Sequence, residues 1–168
     1  MNIVFLDIDG VLNSELYFEK LHKARTEAEH TDVWGEYPYS EMDERAVEML
    51  NSLAKDCKFV ISSCWRGMIN PTCEEVLRSK GFVGEIIGQT EHLPDWTVRG
   101  NEVSKWIGDK RGELKLPYPL ESYVIIDDDN DFLMEQQPHL FQTDAYCGLT
   151  PYTLDSIQKF FRIGHYAR

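Results

Sequence analysis

Positive charge is scarce in this sequence. Seventeen lysines and arginines stand against 29 aspartates and glutamates, a formal net charge of -12 with a pI near 4.8. Proteins that grip long polynucleotides non-specifically need a basic face, because neutralising phosphates supplies their affinity. The densest basic stretches here, His22-Lys23-Ala24-Arg25 and Lys110-Arg111, are short. An extended nucleic-acid footprint is therefore disfavoured, while a site for one terminal phosphate is not. No apolar run approaches the roughly 20 residues of a membrane span, so no transmembrane helix is expected. The first strand-like run meets Asp7 too early, and lacks the basic start, for a signal peptide. Cytoplasmic localisation is the expectation. The four cysteines (Cys57, Cys64, Cys73, Cys147) contain no CxxC pair and no zinc-finger spacing, and are expected to be reduced thiols. Repeats and low-complexity linkers are also lacking, so residues 1–168 read as a single domain.

What is present is ordinary for a globular chain, with 42% apolar and 27% charged residues. Three short apolar runs each end in residues able to do chemistry: Ile3 to Leu6 before Asp7, Phe59 to Ile61 before Ser62, and Tyr123 to Ile126 before Asp127. Runs of this kind, without alternation, suit strands covered on both faces. Val83 to Ile87 and His139 to Gln142 are weaker strand candidates. Helical patterns fall between them, at Glu44 to Lys55 with Asp43 as cap, from Asn70-Pro71 to a stop at Gly81, at Asn101 to Ile107, and from Thr150-Pro151 onward. The alternation predicts an α/β, Rossmann-like three-layer sandwich with a mainly parallel sheet of about five strands. Its site should lie at the carboxyl ends of the strands. The stretch from Ser14 to Met42 reads as irregular, charged and aromatic, a small flap insertion rather than a passive loop.

Asp7-Ile8-Asp9-Gly10-Val11 is the sharpest chemical signal. Two carboxylates two residues apart at a strand end can divide the roles of nucleophile and proton donor, and Gly10 lets the backbone turn closely around a ligand. An isolated DxD is more often an acidic turn. Asp127-Asp128-Asp129-Asn130-Asp131 places three adjacent carboxylates after a buried strand, where they repel unless a cation offsets them. Magnesium suits such oxygen ligands. An EF-hand fails, since the loop would need Gly and Glu where Phe132 and Pro138 stand. After the middle strand, the Ser62 and Ser63 hydroxyls and following amides can grip phosphoryl oxygens, with Arg66 nearby as a further substrate contact. Arg99 offers a fixed positive charge at a helix start. Trp34, Tyr37 and Tyr39 are flat surfaces on which a base could stack, or packing for the flap itself.

In this order the motifs resemble the haloacid dehalogenase (HAD) superfamily over nearly the whole chain. Asp7 to Val11 is similar to its DxDx[TV] motif, Ser62 to its second motif, Arg99 to its third and Asp127-Asp128 to its fourth. More narrowly, Ser63-Cys64-Trp65-Arg66, Arg99-Gly100-Asn101-Glu102 and Thr143-Asp144 to Gly148-Leu149-Thr150 resemble the small HAD domains associated with RNA repair proteins. The resemblance implies a phosphomonoesterase in which Asp7 forms an aspartyl-phosphate and Asp9 protonates the leaving group, then activates water. It also implies Mg2+ held by Asp7, the carbonyl of Asp9, and Asp127 or Asp128. Lys105 rivals Arg99 for the third motif. The presence of Asp9 and the Asp127 cluster favours phosphoryl transfer over dehalogenation. The substrate expected is a phosphorylated small molecule, a nucleotide or a nucleic-acid 3′ terminus. A phosphotransferase of the same fold, and a non-catalytic metal- or phosphate-binding module, are the alternatives.

Overall fold

A computed structural model describes the chain except for residues 30–40, 95, 117–119, 121 and 167–168. Strands β1 (Asn2–Leu6), β2 (Cys57–Ile61), β3 (Glu85–Gln89), β4 (Tyr123–Asp127) and β5 (Leu140–Gln142) form one sheet in the order β3-β2-β1-β4-β5. Every neighbouring pair is parallel. The expected mainly parallel sheet is thus wholly parallel. Helices α1 (Glu15–Glu29), α2 (Glu44–Leu50), α3 (Cys73–Ser79), α4 (Arg99–Lys110) and α5 (Pro151–Tyr166) alternate with the strands.

The continuous apolar runs have the predicted cause. All five residues of β1 are buried, and alternate residues enter two separate cores. Val4 and Leu6 join Val47 and Leu50 of α2, Val76 and Leu77 of α3, and Leu154 and Ile157 of α5. Ile3 and Phe5 face the other way, onto Val103 and Trp106 of α4. The Phe5 ring meets Trp106 edge-on at 5.4 Å between centroids, a favourable geometry for two aromatic quadrupoles. A parallel strand needs this cover on both faces, so the three layers follow from the run itself.

Several boundaries differ from expectation for local reasons. The second helix stops at Leu50 and tightens into a 3₁₀ turn, Asn51–Leu53, while Asp43 caps its start by accepting the Arg45 N–H at 2.9 Å. The third begins at Cys73 rather than Pro71, because Thr72 and Glu75 form a capping box whose two reciprocal bonds satisfy the first free amides. Strand β3 lies two residues later than predicted, and leaves Val83 exposed. The stretch from Ser14 to Met42 is not irregular throughout, since α1 occupies Glu15–Glu29. Its start is anchored from outside: Glu15 N–H and Leu16 N–H donate to the carbonyls of Ala145 and Tyr146. Trp34, Tyr37 and Tyr39 lie outside the described residues. No helix among the described residues is long and apolar enough to cross a membrane.

Sheet order decides where chemistry can occur. From β1 the chain builds outward through β2 and β3, then returns to add β4 and β5 on the other side. The crevice at the carboxyl ends of β1 and β4 is the switch point where ligands bind in open α/β sheets. Register completes the placement: Leu6 pairs with both Ile61 and Ile126, which sets Asp7, Ser62 and Asp127 level along one edge.

Candidate active site

Asp7 leaves the end of β1 with its N–H bonded to the Ile126 carbonyl at 3.0 Å, and Ser62 is tied to Leu6 O at 2.8 Å. Both side chains are buried, as is Asp127. Ligand atoms of Asp7, Asp127 and Asp128 all lie within 4.8 Å of one another. So the two acidic motifs, 120 residues apart in sequence, meet in one cluster.

Among the described residues, one guanidinium faces this cluster. Arg99 Nη1 lies 3.1 Å from Asp7 Oδ2 and 3.0 Å from Asp127 Oδ2, and donates to the Ser62 carbonyl at 3.0 Å. Arg99 is the first residue of α4, and that turn is fixed by the acidic loop itself. Its N–H donates to Asp131 Oδ2, and buried Gln136 reaches the Gly100 carbonyl and Ser104. A side chain at Gly100 would collide with Gln136 and the Leu133 backbone, so glycine lets the two segments touch. Lys105, the rival cation, turns instead to Asp109 and Glu91 on the surface.

Burial and like charge dominate the electrostatics. Burial pushes the Asp7 carboxyl above its ordinary range, with Arg99 opposing. Burial and then Asp7 raise Asp127 in the same direction, and burial also raises Asp128. Arg99 loses solvation, yet Asp7 and Asp127 hold it more firmly protonated than usual. One cation among three carboxylates leaves negative charge uncompensated, which a divalent ion would offset.

Two polar atoms are orphaned at the same place. Asp7 Oδ1 and Ser62 Oγ are buried with no partner at full hydrogen-bond geometry, although Ser63 and the Ile8 backbone help to stabilise the Asp7 carboxylate, whereas Asp127 Oδ1 accepts the Asp129 N–H. Buried polar atoms of this kind nearly always have a partner, so a missing one points to an ion or ligand. The residues therefore fit a hard oxygen-liganded cation beside a phosphoryl oxygen.

Gly10 closes the site from above. Its φ of +66° is the left-handed conformation glycine tolerates, and a Cβ there would lie 2.3 Å from Asp128 Oδ2. Thr143 Oγ1 donates to the Gly10 carbonyl at 2.8 Å, tying the C-terminal motif to this turn. Asp9 is exposed but held: Trp65 Nε1 lies 3.1 and 3.0 Å from its two oxygens, and Asn13 Nδ2 donates to Oδ1 at 2.8 Å.

Of the predicted residues, Asp7, Ser62, Arg99, Asp127 and Asp128 come together, with Gly10 against Asp128 and Ser63 capping the turn Cys64–Gly67. Arg66 does not join them. Its Nη2 is fixed 2.7 and 2.8 Å from the two oxygens of Glu102, with both side chains buried, and Nη1 donates to the Ser63 carbonyl. Asn13, Trp65 and Glu102 were not singled out as site residues by sequence. Trp65 and Glu102 lie within stretches that resemble the family and Asn13 only beside one, and side chains that support a site follow no spacing rule that would have assigned their roles.

No curated protein and no solved structure matches the chain. A family profile described as the HAD domain in Swiss Army Knife RNA repair proteins matches residues 3–154. With the motif order, the sheet order and that match in agreement, the chain belongs to this family of HAD domains.

Proposed function

We propose that the chain is a magnesium-dependent phosphatase that removes the terminal phosphate of a nucleotide or of a nucleic-acid 3′ end. The observation that carries this reading is the unpartnered Asp7 Oδ1 in a buried cluster with Asp127 and Asp128, beside the unpartnered Ser62 hydroxyl. Asp7, the Asp9 carbonyl, and Asp127 with Asp128 would hold the ion. When bound, it would neutralise the carboxylates and the phosphate charge, so that the two anions can meet.

In the first half-reaction an Asp7 oxygen bonds to phosphorus as the ester P–O bond breaks. Asp9 gives its proton to the departing oxygen. In the second, Asp9 takes a proton from water, whose oxygen attacks phosphorus and frees the Asp7 carboxylate. Arg99 orients Asp7 and offsets its charge, while Ser62 and Ser63 grip phosphoryl oxygens. The family's association with RNA repair proteins supports a nucleic-acid terminus as substrate. The net charge of -12 supports contact with one end rather than a strand. Trp34 and Tyr37 remain the proposed stacking surfaces for a terminal base. Four free cysteines accord with a cytoplasmic setting.

The test is phosphate release from a panel of sugar phosphates, nucleotides and 3′-phosphorylated oligoribonucleotides. EDTA should abolish activity, magnesium should restore it, and calcium should substitute poorly because of its longer bonds and higher coordination number. Full activity in EDTA, or preference for sugar phosphates, would defeat the proposal. Transfer of the label to an added alcohol, with little free phosphate, would identify a phosphotransferase instead.

A further inference from the structure

Asp9 is exposed, and an exposed carboxylate is well solvated by water without any protein donor. Yet two buried side chains direct polar hydrogens at it. Trp65 is 5% exposed and Asn13 is 3% exposed. The indole N–H reaches both carboxylate oxygens, at 3.1 and 3.0 Å, so it sits on the fork of the group and limits its rotation about the Cβ–Cγ bond. Asn13 adds a second donor to Oδ1 at 2.8 Å. Its own orientation is not free, because its Oδ1 accepts the Gly10 N–H at 3.2 Å and so turns the NH₂ group toward Asp9.

Both partners are anchored in the fold. Trp65 belongs to the 3₁₀ turn Cys64–Gly67, whose start is capped by the Ser63 hydroxyl, and its ring lies in the larger core. The Asn13 amide also reaches the Glu41 carbonyl at 3.4 Å. The cradle thus joins Asn13, in Asp9's own loop after β1, to the turn after β2, where Cys64 Sγ adds a weaker donor to Asp9 Oδ2 at 3.2 Å beside the Trp65 indole.

We infer that Trp65 and Asn13 are positioning residues that hold the Asp9 carboxylate in line for proton transfer. This rests on the reading of Asp9 as proton donor and acceptor. The contrasting role is purely structural: the tryptophan N–H takes the nearest acceptor and the asparagine only shapes the Gly10 turn. The two roles differ in what they do to leaving groups. An alkoxide needs a proton as it departs, while p-nitrophenolate leaves without one. A cradle for the proton donor therefore matters for the first and little for the second, and kcat/KM reports this step because it ends at phosphoenzyme formation.

The experiment compares kcat/KM for uridine 3′-phosphate and p-nitrophenyl phosphate in the wild-type chain, Trp65→Phe, Asn13→Ala and Asp9→Asn. Trp65→Phe keeps an aromatic ring in the core and removes the N–H. It should lower the uridine 3′-phosphate value by about tenfold or more and the p-nitrophenyl value by less than about threefold. Asn13→Ala should shift the ratio in the same direction, and Asp9→Asn should shift it most. Any misfolded fraction lowers both values equally and leaves the ratio untouched, so a folding defect cannot imitate the result. An unchanged ratio in both Trp65→Phe and Asn13→Ala, with a changed one in Asp9→Asn, would overturn the positioning role alone. A wild-type chain that hydrolyses neither ester would overturn the phosphatase reading and the cradle with it.

Discussion

Asp7 is asked to be charged in a place that resists charge. Burial raises its carboxyl despite Arg99, so the ionised form destabilises the metal-free fold relative to a neutral group of the same shape. Asp7→Asn should therefore lower turnover by at least about 10³-fold while leaving the metal-free melting temperature at neutral pH equal or higher. Activity assays with thermal melts check this, and a large loss of stability would mean that Asp7 is mainly structural. The choice between cations is equally concrete. Arg99 touches Asp7 and Asp127, whereas Lys105 pairs on the surface. Arg99→Ala should reduce kcat by about 10²–10³-fold, as loss of a charged donor at a reacting centre does. Lys105→Ala should stay within about twofold, and steady-state kinetics on the same ester distinguish them.

At the scale of elements, the site depends on how α4 is docked against the turn after β2. Arg66 of the turn Cys64–Gly67 and Glu102 of α4 form a buried pair, and Glu102 also accepts the Leu93 N–H at 3.0 Å. Three segments from different parts of the chain thus converge on one carboxylate, one turn along the helix from Arg99. Removing one partner strands a buried charge, which costs about 3–5 kcal/mol. Glu102→Ala should show that loss in denaturant titration, with activity falling as Arg99 shifts. Lys58→Ala breaks the exposed pair with Glu85 and should cost no more than about 1 kcal/mol. Equal effects would mean the Arg66–Glu102 pair is no more than a surface contact.

For the whole molecule, the response to pH is set by its few buried carboxylates, Asp7 and Asp127 among them. Asp7 and Asp127 both have folded-state carboxyls raised above their unfolded values, chiefly by burial. The folded chain then binds more protons than the unfolded one above the ordinary carboxylate range. Their contribution to stability is present at low pH and is lost as pH rises through the raised values. Metal-free protein should melt lower at about pH 8 than at about pH 5 from these groups, and magnesium should raise the melting temperature more at the higher pH. Differential scanning calorimetry with and without EDTA measures both trends. A magnesium effect independent of pH would argue against the carboxylate cluster as its site.

The sequence by itself determined the five strands, the helices α2 to α5 and the order of four motifs, but not α1, which lies in a stretch that reads as irregular. These rest on local physics: apolar runs that must be buried on both faces, a Thr-Glu capping box, a proline at the first turn of α5, and acids directly after strands. Local rules also reached the wrong bounds where a neighbour decided, as at Pro71, where Thr72 caps the helix so that it begins two residues later, at Cys73. Only the tertiary structure decided the rest. Leu6 had to pair with both Ile61 and Ile126 before Asp7, Ser62 and Asp127 could stand level. Arg99 was separated from Lys105 by docking of the acidic loop on α4, and the buried pairing of Arg66 with Glu102 was not readable from the sequence. Trp65 lies in a stretch that resembles the family, yet its bond to Asp9 spans 56 positions and leaves no spacing to read, while Asn13, four residues from Asp9, belongs to no recognised motif. Side-chain orientation is set by the packed neighbours, and those exist only once the sheet has formed.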